Sequence, residues 1–106
     1  MMAATFEPHT ELTAKLCDAL RPATAEIIKS HTIPWASATF SGLRHFIEVA
    51  VTGEAASKCA QILAAELREL EFDLAKHIVA DVTVTKMRDT PLVIIISVEA
   101  LTVEIF

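Results

Sequence analysis

PLVIIISVEALTVEIF, residues 91–106, predicts one long β-strand at the end of this chain. Its first half is apolar at consecutive positions, so both faces of the strand require nonpolar surroundings. Such a strand is unfavourable at an exposed sheet edge, where it would have neighbours on one side only. We therefore expect residues 92–98 to occupy the centre of a sheet.

The apolar pattern of this strand changes phase part-way along it. Its large apolar residues occupy even positions first and odd positions later: Leu92, Ile94, Ile96 and Val98, then Leu101, Val103 and Ile105. A β-bulge near residues 99–100 would return all of them to one face. Alternatively, the segment after Val98 leaves the parent sheet and pairs with a second subunit.

The first helix is predicted over residues 10–30, because apolar residues recur there every three or four positions. They are Leu12, Leu16, Leu20, Ala23 and Ile27. Pro22 lies inside this stripe and lacks a backbone donor, so we expect a kink or a break there. Residues 1–9 are expected to be disordered or extended, and residues 31–37 to form a connector.

Two further strands and a second helix complete the predicted elements. Strand one covers residues 40–52, with an inward row that contains His45, and strand two covers residues 77–88. Between them, a helix that begins near Gly53 has an apolar stripe: Ala56, Cys59, Leu63, Leu67, Leu70 and Leu74. Turn residues 88–91 join strand two to the terminal strand as a hairpin.

The element order α-β-α-β-β predicts a single α+β domain, residues 1–106, built as a two-layer sandwich. A right-handed crossover makes strands one and two point the same way, and the terminal strand fits antiparallel between them. The expected sheet is therefore three-stranded and antiparallel, of order 1-3-2, with two helices. This arrangement is half of a ferredoxin-like plait. Whether the helices share one face of the sheet or cover both faces stays open.

Composition and charge exclude several classes of function. The net charge of −5 disfavours nucleic-acid binding, which requires a dense group of lysines and arginines. There is no run of about 18 apolar residues, so no membrane span is expected. The N-terminus lacks the features of a signal peptide, and the two cysteines are isolated, so we predict a cytoplasmic protein.

Self-association is the first functional hypothesis. If both helices cover one face of the sheet, the open face carries apolar side chains that favour a homodimer. The predicted interface consists of Phe46, Val79, Val93 and Ile95, with Leu101 and Val103 from the terminal segment. The protein would then act as a homodimer or as an accessory interaction subunit.

The alternative hypothesis is a site for a small anionic metabolite at the end of the sheet, in a binding protein or an enzyme. Arg44, His45 and His77 would supply charge and proton transfer, and Trp35 would form a wall. No metal is predicted, because the four histidines are scattered without ligand spacing. No cofactor is predicted either, since two glycines cannot build a phosphate-binding loop.

Overall fold

The computed structural model describes the backbone of residues 3–105 and the side chains of residues 8–105. In chain order its elements are α1 (Ala3–Ala19), β1 (Thr24–Ala36), β2 (Ser41–Thr52), α2 (Ala56–Glu66), a 3-10 turn (Leu67–Glu69), β3 (His77–Asp89) and β4 (Ile94–Glu104). The strands form one antiparallel sheet in the order β1-β2-β4-β3. The chain is therefore a small α+β domain with an antiparallel sheet.

The predicted three-stranded sheet is wrong, and with it the half ferredoxin-like plait, because β1 is a fourth strand. It occupies residues that were expected to continue the first helix to residue 30. The helix ends at Ala19, before Pro22, and the β-branched residues that follow pair with β2 along almost their whole length. Pro34 is compatible with β1 because this strand lies at the sheet edge.

The first helix also begins earlier than predicted. It starts at Ala3 instead of residue 10, so residues 3–9 are helical and not extended. Residues 1–2, which belong to the same predicted segment, lie outside the described residues. The helix carries Leu12 and Leu16, and Leu20 follows directly after its end; none of these three side chains has exposed surface. The apolar stripe was therefore identified correctly up to Leu20, but it belongs to a helix shifted towards the N-terminus.

The terminal strand does lie between the two strands predicted to flank it, here β2 and β3. The predicted bulge near residues 99–100 is absent, since β4 pairs with β2 without a register shift from Ile94 to Val103. The segment after Val98 stays in the parent sheet as well, and it pairs with β3 as far as Glu104. The register shifts occur instead in β1, after Ile27, and in β3, after Val79 and Val84.

Both helices pack against the same face of the sheet, and the core lies between the two layers. The buried residues of α1 and α2 form one cluster with alternate residues of the central strands, such as Val49, Val51, Ile96 and Val98. Val79 packs against this cluster, because the register places it opposite the buried Thr102. The prediction that Val79 lies on the open face is therefore wrong.

The opposite side of the sheet, which we call the helix-free face, carries the other set of alternate residues. It includes Phe46 on β2 and Leu101 on β4, and by register Ile33 on β1 and Ile78 on β3. No described element covers this face. Within residues 3–105, neither helix combines the length and the apolar character needed to cross a membrane.

Candidate functional site

The four predicted ligand-binding residues lie near one end of the sheet, but they are divided between its two faces. Trp35 is opposite Gly42 near the end of β1, and His77 begins β3 opposite Glu104. His45 is near the same end of β2 but has no exposed surface. Arg44 is exposed on the helix-free face, and Trp35 lies on that face too, because its partner Gly42 is two residues from Arg44. The four residues therefore do not form one anion-binding cluster.

A chain of hydrogen bonds connects α1 to the sheet through two histidines. The Nδ1 atoms of His9 and His45 are 3.0 Å apart, and their rings are stacked with centroids 5.2 Å apart. The Nε2 atom of His45 lies 2.9 Å from the hydroxyl of Thr102. That hydroxyl donates to the carbonyl oxygen of Leu43 at 3.4 Å. The chain thus spans α1, β2 and β4.

The donor and acceptor in each of these hydrogen bonds can be assigned by starting from the Leu43 carbonyl. The Leu43 carbonyl can only accept, so the single hydroxyl proton of Thr102 is donated to it. The Thr102 oxygen must then accept from His45 Nε2–H, which leaves His45 Nδ1 to accept from His9 Nδ1–H. The remaining atom, His9 Nε2, is a buried lone pair with no hydrogen-bond partner among the described residues.

This arrangement keeps both rings neutral. Burial, with smaller contributions from His9 and His77, lowers the pKa of His45 from 6.5 to about 4. Burial also lowers the pKa of His9, with a smaller contribution from His31. An added proton would have to occupy His9 Nε2, where no described acceptor receives it, or break an existing hydrogen bond. The pair is therefore suited to holding α1 in place and poorly suited to acid–base catalysis at neutral pH.

His9 is the member of this chain that the sequence-based hypothesis omitted, because residues 1–9 were expected to lack a helix. One signal for it does exist in the sequence. His9 precedes Leu12 by three positions and so extends the stripe of Leu12, Leu16 and Leu20 towards the N-terminus. That spacing places its ring on the face of α1 that packs against the sheet.

Replacing Thr102 with valine is expected to lower the free energy of unfolding by about 2 kcal/mol, because His45 Nε2–H then has no acceptor. Moving the proton to His45 Nδ1 only transfers the unpaired donor to His9 Nε2. Equilibrium unfolding in urea measures the loss. Thr102→Ser keeps the hydroxyl and serves as the matched control. A valine variant as stable as the serine variant would contradict the assigned chain.

An open depression of about 500 Å³ lies at the same end of the sheet, next to the buried histidines. We call it the sheet-end depression. Its lining comes from the ends of all four strands: Pro34, Trp35, Ala36, Ser41, Gly42, Leu43, His77 and Glu104. The indole nitrogen of Trp35 donates to the carbonyl oxygen of Thr102 at 3.3 Å, which ties Trp35 to the central strand. Across residues 8–105, no three histidine, cysteine or acidic side chains are grouped so as to hold a metal ion.

The helix-free face is the second candidate region. Five of the six predicted interface residues belong to it: Phe46, Ile95, Leu101 and Val103 in the paired strands, and Val93 in the same alternation just before β4. Exposed Ile33 and Ile78 flank them on the outer strands. A shallow depression of about 190 Å³ near the middle of this face is lined mostly by polar side chains, among them Lys29, His31 and Glu99.

His45 and Thr102 of the hydrogen-bonded chain are buried, whereas the sheet-end depression and the helix-free face are accessible and are candidates for binding. No protein-family model, curated protein or solved structure matches this chain.

Proposed function

We propose that this protein is a small cytoplasmic domain that acts as a homodimer, with the helix-free face as its interface. The observation that carries the proposal is that both helices pack on one face of the sheet, which leaves the opposite face without a second layer. A cytoplasmic location is supported by Cys17 and Cys59, which form no disulfide in the described structure.

Apolar side chains on the helix-free face support an interface there. Ile33 and Ile78 are 49% and 53% exposed, and between them lie the half-buried Phe46, Leu101 and Val103. An antiparallel sheet can present one face to water, but that face is then mostly polar. On this face, large apolar residues form a continuous group among charged side chains, and such a group marks an interaction surface.

The charges of this face favour a second copy of the chain over a strongly charged partner. By register the face carries four acidic and four basic residues: Glu26, Glu48, Asp81, Glu99, Lys29, Arg44, Lys86 and Arg88. The face is therefore neutral, although the whole chain has a net charge of −5. None of the eight forms an ion pair with a described residue, so all remain available to a partner. Two neutral faces with mixed charges do not repel each other.

The size of the face is adequate for a dimer. Four strands spaced about 4.8 Å apart and ten residues long at about 3.3 Å per residue cover roughly 600 Å² before side-chain relief is added. Stable interfaces bury about 800 Å² per partner. A face-to-face pair of sheets about 10 Å apart would also give each subunit the second core that β4 lacks.

The proposal is tested by the solution mass of the wild-type protein and of Leu101→Glu. We expect the wild-type protein to have twice the mass of one chain in size-exclusion chromatography with light scattering. In Leu101→Glu, a carboxylate at the centre of the interface would be buried without a partner, so we expect a folded monomer. Circular dichroism verifies that the variant keeps its secondary structure.

Ile62→Glu is the matched control, because Ile62 is a similarly apolar residue that is 46% exposed on α2. It should leave the dimer intact. A wild-type monomer at all accessible concentrations would contradict the proposal. A dimer that persists in Leu101→Glu would equally exclude this face and indicate pairing through the edge strands β1 or β3.

A further inference from the structure

The sheet-end depression combines apolar walls with polar groups that share one chemical property. Pro34 and Leu43 provide nonpolar side chains from β1 and β2, whereas Trp35 borders the depression from the helix-free side of the sheet. The polar side chains are His77 and Glu104, which face each other across β3 and β4, and Ser41 on β2. Directly opposed residues in antiparallel strands have Cβ atoms about 5 Å apart, so His77 and Glu104 can contact one small ligand.

The hydrogen-bond donors of these side chains already donate to other groups of the same protein. The Ser41 hydroxyl donates to Glu104 Oε1 at 3.3 Å, and the Trp35 indole N–H donates to Thr102. His77 Nδ1 lies 3.0 Å from the carbonyl oxygen of Ala75. A carbonyl only accepts, so Nδ1 carries the proton and Nε2 of the neutral ring presents a lone pair. The depression therefore offers hydrogen-bond acceptors and no free donor from these four side chains.

The charge of the depression also favours a ligand that donates hydrogen bonds. The Glu104 carboxylate is exposed and has no cation within ion-pair distance among the described residues. Arg44, the cation that an anion site would require, lies on the helix-free face, and the chain has a net charge of −5. An anion would be repelled here, whereas a ligand that carries a positive charge and several N–H donors would complement the site.

We propose that the sheet-end depression binds a small primary amine in its ammonium form. The ammonium group donates to the Glu104 carboxylate and to His77 Nε2, and the aliphatic part of the ligand lies along Pro34 and Leu43. The site is formed within one chain, so the proposal does not depend on dimer formation.

Binding can be followed directly in NMR spectra, because the proposed ligand contacts His77 and Glu104. The protein is titrated with n-butylammonium chloride, and sodium chloride at equal ionic strength is the blank. We expect saturable shifts of the His77 ring resonances and of the backbone amide resonances of Glu104 and Ser41 with butylammonium only. If none of these resonances shifts saturably, the proposal is overturned. Saturable binding of sodium phosphate or zinc chloride without butylammonium binding would overturn it too, in favour of an anion or a metal site.

Glu104→Gln keeps the size of the side chain and removes its charge, and it should weaken butylammonium binding about tenfold or more. His77→Phe keeps a ring but removes the lone pair, and it should weaken binding in the same direction. Glu66→Gln on α2 is the matched control and should bind like the wild-type protein. Unchanged affinity in both Glu104→Gln and His77→Phe would overturn the assignment, whatever the wild-type affinity is.

Discussion

Replacing Gly42 with alanine is expected to lower the free energy of unfolding by about 3 kcal/mol. A Cβ atom at this position would overlap the carbonyl oxygen of Thr102 and lie 3.1 Å from the indole nitrogen of Trp35. The carbonyl belongs to the backbone of the central strand and cannot rotate away as a flexible side chain can. To accommodate the methyl group, β2 and β4 would have to separate, which would also disturb the Trp35–Thr102 hydrogen bond.

Urea unfolding followed by Trp35 fluorescence measures this effect at a fixed protein concentration. Gly53→Ala is the informative comparison, because a Cβ atom there meets nothing within 4 Å, but the residue has a φ of +107°. Conformational strain alone should cost that variant about 1 to 2 kcal/mol. If Gly42→Ala loses no more stability than Gly53→Ala, the close contact between β2 and β4 is not what requires a glycine at position 42.

The stability of the protein is expected to fall by about 3 kcal/mol as the pH decreases from about 6.5 to about 4. The pKa of His45 is 6.5 in the unfolded chain and about 4 in the folded one. In this range the unfolded state binds a proton that the folded state cannot, so acid favours unfolding. The stabilisation is fully present above pH 6.5. His9 acts in the same direction, because burial lowers its pKa as well.

The urea concentration at the midpoint of unfolding is measured between pH 5 and pH 7. In this range most carboxylates stay ionised, so the change reports mainly on the histidines. In His45→Gln the slope of stability against pH should become clearly smaller. His31→Gln should keep most of the wild-type slope, because His31 is exposed on the helix-free face, where it stacks on Phe46, and makes only the smaller contribution to the lowered pKa of His9. A wild-type slope in His45→Gln would show that the buried histidine pair does not control the acid sensitivity of the fold.

The local sequence pattern was sufficient to predict those helices and strands whose partners lie close in sequence or whose side chains are fully buried. The stripe from Ala56 to Leu67 follows helical spacing, and all of its predicted members up to Leu67 are buried. The strands at residues 41–52 and 77–89 alternate as strands do, and their predicted bounds are confirmed within one residue. The run Val93–Ile96 required apolar neighbours on both faces, which correctly placed β4 between β2 and β3.

The same reasoning failed where a local pattern was compatible with two structures. Ala23 and Ile27 continue the helical spacing of α1, but they also fit a strand that begins after Pro22. The pairing of β1 with β2 selects the strand, and that pairing is a tertiary contact. In β3, the register shift after Val79 turns this residue towards the helices, and nothing in its neighbouring sequence predicts the shift.

The candidate site divides in the same way. Histidines 45 and 77 were placed at one end of the sheet from strand direction alone, and the structure has them there. The His9–His45 contact could be recognised only once the position of α1 over the sheet was known. The hydrogen bonds in the sheet-end depression could likewise be assigned only from distances between residues that are far apart in sequence.

Periodicity in the sequence thus specified the helical stripes, the strands and the central position of β4, because the burial of nonpolar side chains imposes a spacing that can be recognised locally. Tertiary structure alone determined which face of the sheet each residue of β4 after Val98 occupies. The phase change after Val98 is not a bulge: the small Ala100 and the hydrogen-bonded Thr102 face α1, while Leu101 and Val103 face the helix-free side. The physical reason is that α1 and the histidine pair occupy the interior at that end of the sheet, so the large apolar residues there must point the other way.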